Sequence, residues 1–536
     1  MDIKTVISLV IITLTYFVGT AQNTFVPDDN FEQALIDLGL DFGALDDYVP
    51  TANISAITDL DVNNLNISDL TGIEDFAALS TLNCDQNNLT SLDVTQNTNL
   101  TQLFCRNNQL TTLDTSQNTL LNILWVEENQ LNSLDVSNNT QLISLITDDN
   151  PINNLDVTAN TALTVLSCEN NQLTNIDISN NLSLFYLSIG YNSLTTLNTS
   201  TNIDLQYLAC GDNLITSLDL TQNTRLSTLF CARIPINDLN VTNNLVLQRL
   251  TFSQTQVSSL NVSNNPLLEQ LWCSRNLITS LDVSNNLLLD SFFCDFNNIT
   301  SLDLTRNSNL REFGAGNNNL CYLNIRNGNN SNIVNYNSNN NPNLSCIFVD
   351  NIAYSNANWT NIDAASNFVT SQAQCDAFGN TTPPVDTLND FIGMSYTLPV
   401  INNGYYFTQP NGNGTSLNAG DIIANSQTIY IYNQVNCYSN ESSFNVIITA
   451  SDYYIPKFFT PNNDGSHDYW QVLDNSNAIN TIKIYDRYGK LLKSLQPNAE
   501  GWNGTYRGRL LESNDYWYAI TLNTGETIKG HFTLKR

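Results

Sequence analysis

Lysine is missing from positions 5 to 456, and histidine occurs only at His467 and His531. The long body of the chain therefore has no histidine for a catalytic triad. Cations are scarce overall, 19 against 50 acidic residues, for a formal net charge of -31. A field of that sign repels phosphate backbones and anionic lipid, which excludes nucleic acid as a partner of the body. Long apolar runs are absent too. The one run near the N-terminus, Val6 to Val18, is broken only by Ser and Thr. At ~1.5 Å per helical residue it is too short for ~30 Å of hydrocarbon. With Lys4 before it and Gly19-Thr20-Ala21 after it, this run reads as a secretory signal over residues 1–21. The mature chain then begins at Gln22 and keeps no transmembrane segment.

The few cations are unevenly spread. Residues 22–452 carry 41 acids and 8 bases, a net of -33, whereas residues 453–536 carry 8 acids and 10 bases, a net of +2. Such a break marks a domain boundary near residue 452.

What the chain has in abundance is repetition. In rows of 21 residues, one column holds leucine at twelve successive positions from Leu79 and Leu100 to Leu289 and Leu310. A second apolar column follows three residues later, from Leu82 and Leu103 to Phe292 and Phe313. Leu103 and Cys105 alternate with Phe104 and Arg106, the period-2 pattern of a short strand with one buried face. One row cannot bury that face alone, so rows must stack with their strands in parallel, ~4.8 Å apart. Looser rows from Ile57 and from Ile333 to Asn341 mark the ends of the array. The row L-x-x-L-x-C-x-x-N-x-L-T-x-L-D-V-S-x-N, as in Leu100 to Asn118, resembles the leucine-rich-repeat family. The resemblance implies a solenoid that binds on its concave, strand-bearing face.

Three polar columns need a structural role. Asn87, Asn108, Asn129 and their successors are expected to satisfy backbone groups in the turn after each strand. Ile234 and Thr255 interrupt this column, which predicts a local irregularity there. Cys84, Cys105, Cys168, Cys210, Cys231, Cys273 and Cys294 share their column with Val126 and Phe252, so they read as small core residues, not disulfides or metal ligands. Cys346 and Cys375 lie beyond the last row and form the one disulfide candidate. The column of Asp93, Asp114, Asp135 and Asp156 also accepts Asn198 and Asn240, which fits an Asx turn better than acid/base chemistry or calcium. No cofactor or metal is implied.

The outward strand positions form the candidate ligand-binding face. Its aromatics are Phe104, Trp125, Tyr186, Tyr207, Phe230, Trp272 and Phe293. Acids (Glu127, Glu128, Asp148, Asp149, Glu169) cluster in early rows and Arg233, Arg249 and Arg275 in later ones. Exposed aromatics beside arginine are typical interface anchors. Each ring taken singly serves equally well as cover for the neighbouring row.

Around the array, an acid-capped amphipathic helix within Phe25–Leu40 closes the first edge, making 22–56 an N-terminal cap ahead of a 57–345 solenoid. Residues 346–380 form a C-terminal cap and a Thr-Pro-rich linker, and 386–450 a small immunoglobulin-like β module. Residues 453–536 then combine Pro456-Lys457-Phe458-Phe459-Thr460-Pro461-Asn462-Asn463-Asp464-Gly465 with Ile484-Tyr485-Asp486-Arg487-Tyr488-Gly489-Lys490. Gly501-Trp502-Asn503-Gly504 and a terminal Gly530-His531-Phe532-Thr533-Leu534-Lys535-Arg536 complete the pattern. Together these segments resemble the type B sorting domain of the type IX secretion system, the gliding-motility-associated C-terminal domain. That resemblance implies the type IX machinery as a partner and the outer face of a Gram-negative outer membrane, or the medium, as the destination. Asn462, Asp464 and Asp468 around Gly465 also suit a calcium loop, but too few ligands are present and a plain turn is the better reading.

The expected fold is thus mainly β: a leucine-rich-repeat solenoid with a small helical cap, followed by two small β-sandwich-like modules. The expected function is non-enzymatic binding of an extracellular protein or glycan. A structural surface-layer component is the alternative, and a glycan-acting enzyme a more distant one.

Overall fold

The computed structural model describes residues 22–378, 382–435, 437–449, 453–462 and 467–536. The expected signal segment 1–21 and the expected turn or calcium loop at Asp464 and Gly465 lie outside the described residues. The chain divides into two units, Met1–Phe378 and Gly379–Arg536.

In the first unit, the capping helix spans Asp29–Asp37, with Asp28 at its N-cap accepting from the amides of Asn30 and Phe31. The other Asp28 oxygen accepts from the Ser68 and Asp69 amides, which ties the helix to the first turn of the array. Burial opposes ionisation of Asp28, but these hydrogen bonds outweigh it and hold the carboxyl below its ordinary range. Phe31 and Leu35, one helical turn apart, enter the core.

The array itself is a 14-stranded sheet whose consecutive strands run in parallel, from Asp59–Asp61 to Asn335–Asn337. Each turn of the solenoid contributes three extended residues, and between the first and last pairs the middle one pairs with its counterpart 21 residues on, as in Leu82 with Leu103 and Leu103 with Leu124. These leucines are fully buried, as are the seven cysteines of the adjacent column, all of them free thiols. Burial pushes the thiols well up, so the thiolates that react are suppressed.

Two asparagine ladders hold successive turns in phase. In the first, Asn108 Nδ2 donates to the carbonyls of Cys84, Cys105 and Arg106 while its Oδ1 accepts from Leu89 N, and the pattern repeats along the array. At Ile234 and Thr255 the ladder fails. The amide of Ile236, which an asparagine oxygen would otherwise serve, turns back onto the Ile234 carbonyl at 2.9 Å. The second ladder, absent from the sequence reading, runs through fully buried Asn97, Asn118, Asn139, Asn160 and their successors to Asn307. Each Nδ2 donates to two carbonyls of the preceding turn, as Asn160 does to Val136 and Asn139. The aspartate column makes Asx turns: Asp135 Oδ1 accepts the amide of Ser137, and Asp156 those of the Thr158 amide and hydroxyl.

A further element was not foreseen. Ser301–Asp303, Tyr322–Asn324, Cys346–Phe348 and Asn367–Val369 form a second, four-stranded parallel sheet in the last turns. Earlier turns bring the same positions together only as an isolated Asp93–Asp114 bridge. Cys346, the first residue of the third of these strands, is joined by a disulfide to Cys375.

In the second unit, a five-stranded sheet carries Phe391–Gly393, Tyr405–Phe407, Gln427–Val435 and Tyr438–Ile448, with a core of Tyr406, Ile429, Ile431 and Phe444. The last module has its own five-stranded sheet, built on the long hairpin of Asn514–Leu522 and Thr527–Leu534. Its core stacks Trp470 on Phe532, with ring centroids 4.0 Å apart, and Phe459 and Trp502 close around them.

Candidate functional site

Side chains flanking each buried leucine stand out from the 14-stranded sheet, and every turn adds one to each column. In the early turns, Phe104 and Trp125 meet edge to face at 5.0 Å. Arg106 lies 5.0 Å from the Trp125 ring and pairs with Asp85 at 2.6 Å. Directly beyond, Asp85, Glu127 and Asp148 occupy one column, with Glu128 and Asp149 beside them, around a hollow of about 330 Å³. Asp148 accepts from the Ser167 hydroxyl at 2.8 Å and the Glu169 amide at 2.7 Å, and Glu169 accepts from the Ser188 hydroxyl. Burial raises Glu127 to about 7, opposed by its own backbone amide and by Arg106 and reinforced by Asp148 and Asp85. Burial likewise raises Asp148 to about 6, against the hydrogen bonds it accepts and with Glu169 and Asp149 adding to the rise.

In the middle turns, Tyr186 and Tyr207 stack face to face at 4.3 Å with planes 7° apart, and Phe230 closes the stack edge-on at 5.7 Å. One face of each tyrosine ring is taken up by the other. Further on, Trp272 meets Phe293 at 5.9 Å and donates from Nε1 to Ser291 Oγ at 2.9 Å, as Trp125 does to Ser144 at 3.0 Å. Trp272 remains 38% exposed. Arg249 borders a hollow of about 500 Å³ with Glu269, Asp290, Ser291 and Arg311.

Arg233 and Arg275 lie elsewhere than the alternation predicts. The extended stretch lasts only three residues per turn, and both arginines fall in the turn after it, at φ of 56° and 59°. That column, from Gln86 through Glu128, Asp149, Tyr191 and Phe296 to Asn317, is left-handed throughout. Arg233 forms a fork with both oxygens of Asp212 and reaches the Tyr191 hydroxyl at 2.9 Å. Arg275 lies 4.2 Å from the Phe296 ring. Tyr191 and Phe296, 53% and 44% exposed, thus belong to the same surface although strand alternation never pointed to them.

In the last module the motif residues divide into two groups. Trp502 is buried and donates to the Thr505 carbonyl at 2.8 Å. Gly504, at φ 71°, leaves no room for a Cβ against Leu534, and Gly530 lies hard against the Tyr518 ring. Arg536 bonds the Leu511 and Gly504 carbonyls, and Lys535 lies 4.9 Å from the Phe458 ring. Asp486 Oδ1 accepts the amides of Tyr488 and Lys490, a turn that Gly489 completes at φ 81°. Arg487 and Tyr488 point to solvent, and Pro461 and Asn462 immediately precede residues 463–466, which lie outside the described residues.

With this geometry in hand, residues 453–534 match the CHU_C Type IX secretion signal domain. Internalin J of Listeria monocytogenes serotype 4b (strain F2365) is 38% identical over 76 residues, which is 14% of this chain and only 8% of that protein. Among solved structures, the functional domain of InlJ from Listeria monocytogenes, described as including a cysteine ladder, is similar at a TM-score of 0.52 and 24% identity, covering 96% of this chain and 99% of that one. An internalin (inlF) from Listeria monocytogenes is similar at 0.54 and 22% identity, covering 59% of this chain and 95% of that one. At these identities the structures share the fold. The C-terminal domain implies interaction with the type IX secretion machinery and a secreted or outer-surface location. No helix among the described residues is long and apolar enough to cross a membrane.

Proposed function

We propose that this is a non-enzymatic binding protein of the adhesin type, delivered to the outer membrane's exterior or the medium, that grips an extracellular protein or glycan on the face of its 14-stranded sheet. The observation that carries this reading is the continuity of that face. Acidic, aromatic and arginine-bearing turns follow one another on a rigid ladder, with partly exposed Trp272, Tyr191 and Phe296 among them. Pre-organised aromatic and arginine side chains lose little entropy on binding, which is what an interface needs. The type IX signal accounts for delivery. The fold shared with the internalin structures is compatible with this use and does not name the ligand.

The test is to probe glycan and surface-protein arrays with mature protein and with a Trp125→Ala/Tyr207→Ala/Trp272→Ala variant. A ligand bound by the parent and lost by the folded variant supports the reading. Blank arrays with concentration-dependent self-association point instead to a structural surface-layer component.

A further inference from the structure

The C-terminal module differs in sign from everything before it, and three of its cations, Arg487, Lys490 and Arg507, lie over aromatic rings on two neighbouring turns. The turn at Asp486–Lys490 and the hairpin of Thr505–Tyr506 with Arg509–Leu510 meet there, because Lys490 Nζ lies 4.6 Å from the centroid of the Tyr506 ring. Arg507 lies 5.4 Å from the same ring, and Arg487 lies 5.0 Å from that of Tyr488. Among the described residues, none of these three cations forms an ion pair with a carboxylate. The nearest acid in sequence, Asp486, is engaged by the amides of its own turn. Around the cations the surface is apolar and open: Tyr488 is 79% exposed, Leu510 68% and Leu491 46%.

Three cations held over aromatic rings, without an ion pair and beside exposed Tyr and Leu, form a surface that an acidic partner would complement. We infer that this face is where the sorting module docks, and that it docks on an acidic protein surface of the export machinery. The inference rests on the reading of residues 453–534 as a type IX signal. Charge decides the kind of partner. An anionic membrane extends indefinitely and would meet the attached body with its net of -33 as well as the +2 module, whereas an acidic patch on a protein is local and acts within a Debye length of about 8 Å. The exposed apolar rim also favours a protein, since Tyr and Leu beside Arg gain contact area there.

The experiment follows the full chain in a producing culture, fractionated into periplasm, surface and medium. An Arg487→Glu/Lys490→Glu/Arg507→Glu variant is expected to lose at least tenfold of its surface and medium signal and to accumulate in the periplasm. A Lys483→Glu/Lys493→Glu variant, with charge reversed elsewhere on the module, is expected to stay within twofold of the parent. Thermal melting of the purified proteins tests for misfolding, and an Arg487→Gln/Lys490→Gln/Arg507→Gln variant repeats the test should the reversal fail to fold. Parental export of both face variants, while a chain ending at Ser451 is retained, overturns the docking face and leaves the sorting reading intact. Equal export of the chain ending at Ser451 overturns both. Co-sedimentation of the parent with vesicles containing anionic phospholipid, abolished in the Glu variant, would replace the protein partner with a lipid surface and overturn the inference.

Discussion

The second asparagine ladder leaves a defect that one hydroxyl can repair. Asn160 is fully buried, both its donor hydrogens are used, and its Oδ1 has no partner. The same holds for Asn118, Asn181, Asn265, Asn286 and Asn307. Two members escape: Asn139 Oδ1 accepts from Thr115 Oγ1 at 2.9 Å and Asn223 Oδ1 from Thr199 Oγ1 at 2.8 Å. In both, the threonine stands 24 residues before the asparagine, a position that Val136 occupies for Asn160. Val136→Thr conserves shape and presents a donor where the orphan oxygen waits. Burying a hydroxyl without a partner costs about 1–3 kcal/mol in protein cores. Here a hydrogen bond contributes about 1 kcal/mol and relieves an acceptor whose desolvation is otherwise uncompensated by a similar amount. The net effect of Val136→Thr is therefore neutral to about 1 kcal/mol stabilising. Val257→Thr, at a fully buried position of a different column, serves as the control and is expected to lose about 1–2 kcal/mol. Thr115→Val, which orphans Asn139, should lose a comparable amount. Urea unfolding of the mature chain, followed by far-ultraviolet circular dichroism, gives the midpoints. If Val136→Thr falls as far as Val257→Thr, the oxygen is not short of a donor and the reasoning fails.

Three other perturbations have calculable directions. Because the fold raises Glu127 from 4.5 to about 7, its contribution to stability is full below pH 4.5 and is lost as pH rises through 7. Glu127→Gln should thus gain on the parent at pH 8 by about 1 kcal/mol after allowance for solvent screening, and not at pH 5; equal urea midpoint differences at both pH values would refute this. Gln254, exposed and at φ 59°, sits in the left-handed column. Gln254→Asn should stabilise by about 0.5 kcal/mol and Gln254→Val destabilise by about 1 kcal/mol, because Asn tolerates that conformation and a β-branched residue does not; thermal melts that rank the two the other way contradict the assignment. Removing the Cys346–Cys375 bridge, which closes a separation of 29 residues, with a Cys346→Ser/Cys375→Ser variant should cost about 3 kcal/mol in urea unfolding.

Much of this molecule is legible in its sequence because the repeat is phase-locked. An unbroken leucine column admits one register, and the observed pairing of Leu82, Leu103 and Leu124 follows it. The cysteine column was readable as core because Val126 and Phe252 share it, and Ile234 and Thr255 disclosed their irregularity by interrupting asparagines. The second ladder was harder to see, since Asn118 and its equivalents stand among other polar residues of a turn and nothing in composition says they point inward. The left-handed column was only partly legible: Asn107, Asp149, Asn170, Asp212 and Asn317 suit that conformation, but Gln86, Glu128, Tyr191, Arg233 and Phe296 have no preference for it and are held in it by the stacking of turns. On the sheet face, residue identities were legible but ring orientations were not. Whether Tyr186 presents a face or an edge depends on Tyr207, one turn away.

Delivery of a binding solenoid to the cell exterior is the task proposed for the C-terminal module. Its most direct test compares a producing culture expressing the full chain with one expressing a chain that ends at Ser451. Loss of the shortened form from surface and medium, with retention in the periplasm, is the predicted result. Equal appearance of both forms outside the cell would contradict it.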